Sequence, residues 1–595
     1  MTTMTVRTGE DREERHRLTA FEGLAALSLD ALSSVAYGPQ AIVIALAAAG
    51  AVGLGYTLPV TIAIVVLLAV LVFSYRQVIE AFPGGGGAYA VASRHLGRQA
   101  SLIAGASLIV DYVLNAAVGV SAGVAALWSA YPSLYGARVW LCLAVLGLIT
   151  AVNMWGVAES ARLFIVPTVA FILAVAIVIF GGLFRAHPEV TLAGHLPAVT
   201  ESVGILLLLK AFASGCSALT GVEAIANAVP EFREPRARRA QHTEMGLGFL
   251  LGIMLLGISV LIRKFDFAPS ATETTLAQLT AAAVGKNVLF YAVQLITTVL
   301  LALAANTSFV GLPVLASLLA RDNNLPHLFV LKADRQVHRY GIGVLAVFAA
   351  ILLVVARGDT QALIPVFAIG VFVGFTLSQA GMVRHWHEQH GDGWVSRAFI
   401  NGLGAVLTTA ALAIELVSKF TQGAYLVVIV VPLLVLMFDR IHVTYDRIGT
   451  LLELGKQPPP PQRRSSMVVV PVAEVSRLTA EAISTGLSIG DEVIAVTVCY
   501  AEPDAEAADA RFRDRWEAWH PSVPLVTLHA QHRSLAPPIV AYLKQVEAED
   551  RHDRLFVLIP EVRPAHWWQW LQRVSKTSSH VVRSSPSDQP QHVRY

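Results

Sequence analysis

Hydrophobic and polar residues follow each other along this chain in long blocks, which is the pattern of a membrane protein. Between residues 21 and 440, apolar runs of about 18 to 25 residues recur, a length that crosses a bilayer as one helix. The pattern predicts an α-helical membrane domain with twelve transmembrane helices, preceded by a polar N-terminal tail over residues 1–20. The runs centre near Val43, Val66, Val118, Val145, Ala174, Ser214, Met254, Thr297, Val347, Val371, Ala410 and Val430.

The pattern changes after residue 440. The Pro-rich stretch "KQPPPPQRRSS", residues 456–466, is typical of a hinge and predicts a linker over residues 441–466. From 467 to 595, strand-like runs alternate with helical patterns, which predicts a cytoplasmic α/β domain with a mostly parallel sheet. The predicted strands are "MVVVPV" at 467–472, "EVIAVTVCY" at 492–500, "PLVTL" at 524–528 and "RLFVLIP" at 554–560.

The distribution of charge predicts the orientation in the membrane. Only 14% of residues are charged and 55% are hydrophobic, whereas soluble domains carry about 25% charge. Positive residues concentrate in the loops after even-numbered spans, so we expect both termini in the cytoplasm and the protein in the inner (plasma) membrane. These loops carry Arg94, Arg98, Arg162, Arg233, Arg236, Arg238, Arg239, Arg321, Lys332, Arg335 and Arg339, and the main exceptions opposite are Arg138, Arg185, Arg263, Lys264 and Lys286. The net charge of +2 is too small and dispersed to indicate nucleic acid as a partner.

Acidic residues interrupt three of the predicted spans. An acid inside a span is costly and usually faces a functional cavity. Asp30 lies in the first span, Asp111 in the third and Glu223 in the sixth, and any of the three could carry a coupling proton. The alternative, stronger for Asp30 and Asp111 near the ends of their spans, is an interfacial residue in contact with water.

The first and sixth spans resemble each other. "SVAYGPQAI", residues 34–42, aligns with "SALTGVEAI", residues 217–225, and both are interrupted, at Gly38 and Pro39 and at Gly221. A five-span offset between broken helices is the spacing of the two five-helix inverted repeats of LeuT-like transporters. We therefore predict such a 5+5 repeat, followed by two further spans.

Broken helices leave carbonyl groups that need polar partners. Together with the hydroxyls of Tyr37 and Thr220 and the acids, these carbonyls would form a group of oxygens suited to a cation. In the third span, Tyr112 and Asn115 share one helix face and could point at the same cavity. For Tyr112, packing between helices is an equally good interpretation.

The other motifs add no chemistry of their own. "FPGGGGAYAVASRHLG", residues 82–97, lacks the strand and the GKS ending of a phosphate loop, so we interpret it as an intracellular gate. Cys142, Cys216 and Cys499 lie in separate segments, which predicts neither disulfides nor a metal site. No catalytic constellation stands out, and an enzyme is not expected.

Taken together, the motifs resemble the amino acid-polyamine-organocation superfamily and, within it, the KimA branch of proton-driven potassium importers, related to the KUP transporters. The resemblance covers nearly the whole chain. Its matching stretches are "LDALSSVAYG", "FPGGGGAY", "DYVLNAAVGVSAG", "SGCSALTGVEAIAN", "PVFAIGVFVGFTLSQAGM", "PSVPLVTLHAQHRSL" and "FVLIPEVRPAHWW".

The resemblance implies a potassium site and a regulated homodimer. The implied potassium ligands are Asp30, Tyr37, Tyr112, Thr220 and Glu223. This chain departs from the branch at three positions: Asn115 stands where a threonine is usual, Gly119 where a serine is usual, and Phe367 where a tyrosine is usual. Asn115 can offer a carbonyl oxygen instead, so it is kept as a candidate ligand, whereas Gly119 and Phe367 lose a hydroxyl.

The branch also implies dimerisation through the cytoplasmic domain and inhibition by cyclic di-AMP bound there. Arg533 and the basic residues near Arg463 and Arg464 could hold a phosphate, and a domain that only dimerises is the alternative. Three functions remain open: a potassium–proton symporter, an amino-acid or polyamine permease of the same fold, and a membrane sensor that binds without transport. No cofactor is expected.

Overall fold

The computed structural model describes residues 17–155, 162–190, 199–265, 267–270, 272–331, 338–391, 393–457, 464–500, 505–530, 535–549 and 553–560. The chain divides into two compact units, Met1–Arg447 and Ile448–Tyr595. The first unit is helical, which confirms the predicted α-helical membrane domain, and the second contains a small sheet covered by helices.

The helices of the first unit are long and mostly apolar, as the block pattern predicts. They are α1 Ala20–Leu27, α2 Leu29–Ser33, α3 Gly38–Ala47, α4 Gly50–Leu54, α5 Thr57–Ala81, α6 Gly87–His95, α7 Arg98–Ala130, α8 Arg138–Met154, α9 Arg162–Phe184, α10 Ile205–Gly215, α11 Ala224–Asn227, α12 Arg236–Lys264, α13 Thr275–Val284, α14 Val288–Arg321, α15 Arg339–Val355, α16 Thr360–Gln389, α17 Trp394–Lys419 and α18 Tyr425–Leu451.

Every predicted span centre falls within one of these helices. In the described part of the chain, eleven helical segments are long and apolar enough to cross a membrane. The ninth predicted span corresponds to α15, an apolar helix of 17 residues, slightly shorter than the roughly 20 residues that a bilayer requires. The number twelve and the inverted repeat therefore stay predictions.

Helix α13 is an element that the sequence pattern did not predict. It has 10 residues, too few to cross a bilayer, and Thr274 caps its first turn by accepting a hydrogen bond from the Ala277 N–H. Nearly all its residues are buried, including Leu276 and Leu279. A short helix buried on all sides has no polar face, so its sequence looks like part of a longer apolar run.

Helices α7 and α14 cross at small residues. A Cβ added at Gly119 would lie 3.1 Å from the Ala305 Cβ, and one added at Gly123 would lie 3.2 Å from the Thr298 carbonyl oxygen. Small residues let transmembrane helices approach closely, and the dispersion attraction between the closely packed helices stabilises the pair. This packing explains why Gly119 stands where the resemblance implies a serine, since a side chain there would push α14 away.

The second unit is an α/β fold with a four-stranded parallel sheet, as predicted. Its strands are β1 Ser466–Pro471, β2 Glu492–Tyr500, β3 Leu525–Ala530 and β4 Arg554–Val557, in the order β3-β2-β1-β4. Its helices are α19 Arg477–Ile489, α20 Ala505–Trp519 and α21 Ala536–Ala548. Val468 and Val470 face a core with Trp516, whereas Met467 and Val469 face the opposite core with Leu543. Both faces of the sheet are thus covered, as parallel strands require.

The region between the two units differs from the predicted linker at its beginning. Helix α18 continues to Leu451, so residues 441–451 of the predicted linker 441–466 are helical. Residues 441–451, IHVTYDRIGTL, contain few strong helix formers, so neither their propensity nor their polarity predicted this extension. Residues 458–463 of the Pro-rich stretch lie outside the described residues.

A buried amide network joins α5 to α17. Asn401 is fully buried; its Oδ1 accepts from the Ser74 hydroxyl at 2.6 Å and its Nδ2 donates to the Gln77 Oε1 at 2.7 Å. Since lipid offers no hydrogen bonds, these groups satisfy each other across the helix interface.

Replacing Asn401 with leucine should destabilise the membrane unit, because Ser74 and Gln77 then lose their partner. We expect Asn401→Leu to lower the free energy of unfolding by roughly 0.6–1.7 kcal/mol, the range measured for such bonds in membranes. The measurement is thermal unfolding of the detergent-solubilised protein. Thr409→Val on the same helix is the matched control, because its exposed hydroxyl bonds only to its own helix, at Ala405 O; equal effects of the two changes would contradict the prediction.

Candidate functional site

The first span is interrupted close to the middle of its apolar run. Helix α2 ends at Ser33, a 3-10 turn covers Ser34–Ala36, and α3 starts at Gly38. Tyr37 lies between them with φ −120° and ψ −25°, outside the helical region. Pro39 is in the first turn of α3, where its missing N–H removes no helical hydrogen bond.

The sixth span is interrupted at the corresponding place. Helix α10 ends at Gly215, a 3-10 turn follows over Cys216–Leu219, and Thr220 is extended with φ −64° and ψ 149°. Gly221 has φ +80°, a conformation that only glycine adopts without strain, and the short helix α11 starts at Ala224. The backbone is therefore non-helical at Thr220 and Gly221.

The two interruptions lie against each other. The Ser34 hydroxyl donates to the Ala218 carbonyl at 2.8 Å, and the hydroxyls of Tyr37 and Thr220 are 3.4 Å apart. A Cβ added at Gly38 would lie 2.6 Å from the Ala218 Cβ, so glycine is required for this approach. The structure thus brings together residues that are about 180 positions apart in the chain.

Three buried acids surround this contact. A Cβ added at Gly221 would lie 2.7 Å from the Asp30 Oδ2, so the carboxyl of Asp30 rests directly on the break in the sixth span. Asp30 and Glu223 are each 8% exposed and Asp111 is 4% exposed. Electrostatic interactions connect Glu223 to both aspartates, and Asp30 to Asp111. The site is therefore a cluster of like charges.

The charge of this cluster is not balanced by the protein. One oxygen of each acid, Asp30 Oδ1, Asp111 Oδ1 and Glu223 Oε2, has no hydrogen-bond partner among the described residues. Within the same part of the chain, none of the three forms an ion pair with lysine or arginine. Buried acids without partners are expensive inside a membrane. The arrangement is suited to binding a cation, a proton or both.

The other predicted site residues have separate environments. Asn115 is 3% exposed and its side chain interacts with the Asp30 carboxyl. Tyr112 packs its ring on α14, because a Cβ added at Gly311 would lie 2.5 Å from the Tyr112 Cε1. Phe367 is fully buried and offers no polar atom. The site therefore includes Asn115, and Tyr112 lies at its edge, in electrostatic contact with the acids.

Two buried acids were missed by the sequence analysis. Glu244 on α12 is 0% exposed, Glu415 on α17 is 1% exposed, and neither carboxyl has a hydrogen-bond partner among the described residues. Glu415 lies in the predicted eleventh span, where an acidic residue within an apolar run could have identified it. Glu244 follows the Arg-rich stretch before the seventh span, so its position looked like a solvated loop end.

A cavity of about 330 Å³ reaches the site from one side of the membrane unit. Its lining includes Tyr37 and Gln40 of the first span, together with Trp128, Glu273 and Asp359. Glu273 lies in the loop between the seventh and eighth predicted spans, and Asp359 lies in the loop between the ninth and tenth. The cavity therefore reaches the Tyr37 side of the break, and of its two acids Glu273 is paired with Lys286 at 2.7 Å.

On the opposite side, the Gly-rich loop packs on the end of the sixth span. A Cβ added at Gly85 would lie 2.5 Å from the Asn227 carbonyl oxygen. The following helix α6 carries Tyr89, whose hydroxyl donates to Asp322 at 2.7 Å. The first contact places the loop against the end of α11, and the second joins α6 to the end of α14. Arg533, predicted as an anion ligand, lies outside the described residues.

Comparison with known proteins gives two family matches. Residues 24–438 match the model of the amino acid permease family, and residues 463–584 match the model of the KimA potassium transporter C-terminal domain. The permease match confirms the predicted fold class.

One curated relative and several solved structures are also similar. The potassium transporter KimA of Bacillus subtilis (strain 168) is 40% identical over 548 residues, which cover 91% of this chain and 89% of that protein. Two structures of the Eremococcus coleocola manganese transporter, one in complex with an aromatic bis-isothiourea substituted compound and one a mutant, each show 12% identity. Each has a TM-score of 0.41 and covers 74% of this chain and 96% of that one. From the permease match and the 40% identical relative, we conclude that this chain belongs to the KimA family of the amino acid-polyamine-organocation superfamily.

Proposed function

We propose that the protein imports potassium coupled to protons, with its binding site at the broken first and sixth spans. The observation that carries the proposal is the contact between two interrupted spans beside three buried acids without cationic partners among the described residues. The name of its Bacillus relative supports potassium as the cargo.

Oxygen ligands favour a monovalent cation at this place. Carbonyl oxygens replace the hydration shell of potassium in known selective sites, and the break offers carbonyls, the Tyr37 and Thr220 hydroxyls and the carboxyl of Asp30. Asn115 adds an amide, and Tyr112 and Glu223 complete the proposed substrate site. An amino acid would bring its own carboxylate to the acids, so this cargo is less favourable unless it is strongly cationic.

Charge balance supports coupling to a proton. Three buried carboxylates and one potassium ion would leave two uncompensated negative charges, which is costly in a membrane interior. A proton on Asp30, Asp111 or Glu223 leaves less uncompensated charge in a site that also holds the cation. The site with both ions bound is therefore the least costly one to enclose in the membrane interior, which supports potassium–proton symport.

The charge of the loops supports the membrane orientation that we assign to the proposed importer. By the positive-inside rule the termini and the Gly-rich loop are cytoplasmic, and the cavity lined by Glu273 and Asp359 opens outward. Potassium would enter by this acidic cavity, pass Tyr37 and leave when the Gly-rich loop separates from Asn227.

We propose that the second unit mediates dimerisation and regulates transport, and that the protein lies in the plasma membrane. The match of residues 463–584 to the KimA C-terminal domain supports this role. Cyclic di-AMP is the proposed regulator, with Arg533 as an anion ligand.

The first test is rubidium uptake into proteoliposomes with an inward pH gradient. Wild-type protein should accumulate rubidium, and a basic amino acid should not compete. We expect Asp30→Asn and Thr220→Val to raise the apparent KM roughly 10- to 100-fold, since one ligand to a charge contributes about 1.5–3 kcal/mol. Thr150→Val is the matched control, because its hydroxyl bonds only to Leu146 O of its own helix.

Other outcomes of this uptake assay would select another function. Uptake of a basic amino acid without rubidium would favour the permease, which the name of the permease family model also suggests. Binding without flux would favour a sensor. Growth of a potassium-uptake-deficient strain on limiting potassium checks import in cells, and lack of rescue by inserted protein would contradict it.

A second prediction concerns the geometry of the break. Gly221→Ala should destabilise the protein and weaken rubidium binding, because the new Cβ meets Ala31 N at 2.8 Å and forces a residue with φ +80° into strain. Gly97→Ala is the matched control, with φ +89° and open space around the position. We expect about 1–3 kcal/mol of destabilisation for Gly97→Ala, because its φ +89° and ψ 177° lie in a region that is essentially restricted to glycine, and about 1–3 kcal/mol more for Gly221→Ala.

Thermal unfolding and rubidium KM measure both effects. If Gly97→Ala and Gly221→Ala behave alike, the close contact at Gly221 has no importance for the site.

A further inference from the structure

Two buried histidines meet where the helix after the Gly-rich loop packs on α16. His95 is the last residue of α6, and His385 lies near the end of α16. The Nε2 of His95 and the Nδ1 of His385 are 3.2 Å apart, and the two rings meet edge to face with their centroids 5.0 Å apart. The Nδ1 of His95 lies 3.0 Å from the Glu388 Oε2. The three side chains thus form a continuous hydrogen-bonded chain between α6 and α16.

The packing around the histidine pair brings the two helices close together. One turn before His385, a Cβ added at Gly381 would lie 2.6 Å from the Val91 Cγ1, so α6 and α16 are in direct contact. The ring of Phe82, at the start of the Gly-rich stretch, lies 6.0 Å from the His95 ring and 5.9 Å from the His385 ring. The pair therefore contacts both the start of the stretch that we interpret as the intracellular gate and the end of its helix.

The same stretch contacts the end of the sixth span. A Cβ added at Gly85 would lie 2.5 Å from the Asn227 carbonyl oxygen, and one added at Gly87 would overlap the Asn227 side chain. The loop thus rests on the sixth span while the histidine pair holds α6 on α16. Because both contacts involve one short segment, a loss of the histidine contact also weakens the position of the loop.

The number of protons on the pair decides whether this contact is stable. In the neutral pair, the His385 Nδ1–H donates to the His95 Nε2, and the His95 Nδ1–H donates to Glu388. One added proton is tolerated, because the His95 Nε2–H then donates to the His385 Nδ1 and the imidazolium pairs with the Glu388 carboxylate. A second added proton puts an N–H on both facing nitrogens, so the hydrogen bond is lost and two positive charges adjoin. The packed arrangement therefore disfavours the second proton.

The charges around the pair do not offset a second proton. Arg384 donates to the other oxygen of Glu388 at 2.8 Å, and Glu80 is paired with Arg397 at 3.0 Å. Among the described titratable and charged side chains at this end of α6, α16 and the elements packed against them, arginines outnumber acids. These side chains are Tyr75, Arg76, Glu80, Tyr89, Arg94, Arg98, Arg384, His387, Glu388, His390 and Arg397.

We propose that His95 and His385 form a proton-sensitive latch of the intracellular gate, which acid on the cytoplasmic side releases by placing a second proton on the pair. This inference rests on the proposed import function and its membrane orientation, and it adds a form of regulation. Without the latch the gate stays open to the cytoplasm, and alternating access does not allow the outer cavity to open at the same time. Import therefore slows when the cytoplasm becomes acidic, so the protons that enter with the cation limit further import.

The test follows the latch through the reactivity of a cysteine placed under α6. Ala88 on α6 is 3% exposed, and a Cβ added at Gly374 of α16 would lie 3.8 Å from the Ala88 Cβ. Ala88→Cys therefore becomes reactive toward a maleimide when α6 leaves α16. The detergent-solubilised full chain carries this change with or without His385→Asn, and peptide mass spectrometry quantifies labelling at position 88. Asparagine keeps a polar atom on Cγ, where histidine carries Nδ1, but it takes up no proton.

The latch predicts labelling that depends on pH only when His385 is present. From about pH 7.5 to about pH 5.5, on either side of the usual histidine pKa, the labelling rate should rise about 10-fold relative to that of His385→Asn, a typical coupling between two sites. Comparison at each pH removes the pH dependence of the thiol itself. His387→Asn is the matched control, because His387 is exposed on the same helix and its ring contacts His390 and Trp394 instead of α6. This control should label like the protein with both latch histidines.

Rubidium uptake into proteoliposomes measures the consequence for transport. With the same pH difference across the membrane, wild-type uptake should be about 10-fold lower than that of His385→Asn at an internal pH of about 5.5 and equal to it at about 7.5. A labelling ratio that does not change with pH, an equal effect of His387→Asn, or an uptake ratio independent of internal pH would overturn the proposal. Should His385→Asn fail to fold, His95→Gln, whose amide lies near the Nε2 position, decides by the same readouts. Absence of rubidium flux in every variant would overturn the proposed import, whereas the labelling would still decide whether the latch exists.

Discussion

The contact between the two broken spans is the constraint on which the rest of this structure depends. An interrupted helix in a bilayer exposes backbone groups that lipid cannot satisfy. Here each break satisfies part of the other: the Ser34 hydroxyl bonds to Ala218 O, and Tyr37 meets Thr220. Glycines at 38 and 221 permit the approach, because any side chain at either position would overlap the opposite segment. Without this contact Asp30 would not rest on the break in the sixth span.

From that contact follows an electrostatic situation that transport can use. Asp30, Asp111 and Glu223 share a small buried region without a described cationic partner, so the charged acids are unfavourable there until positive charge arrives. A cation and a proton both supply that charge, which makes their binding interdependent.

Many elements of the fold could be predicted because their signals are local. Each predicted span centre falls within a described helix, and alternating patterns located the four described strands of the α/β unit within a few residues. These local signals did not give the bounds of three helices. Helix α13 is too short to be distinguished within an apolar run. Helix α18 continues beyond the last apolar residues of its span, and α15 is close to the minimum length of a transmembrane helix.

The sequence by itself determined which residues interrupt the spans, because an acid, a glycine or a proline destabilises an apolar membrane helix at its own position. It therefore indicated Asp30, Gly38, Gly221 and Glu223. Only the tertiary structure decided what these residues meet, since their partners are far away in the chain. It put Asp30 on Gly221 and turned Tyr112 onto Gly311. Such pairings depend on how helices pack, and packing involves the surfaces of two or more helices that are distant in the sequence.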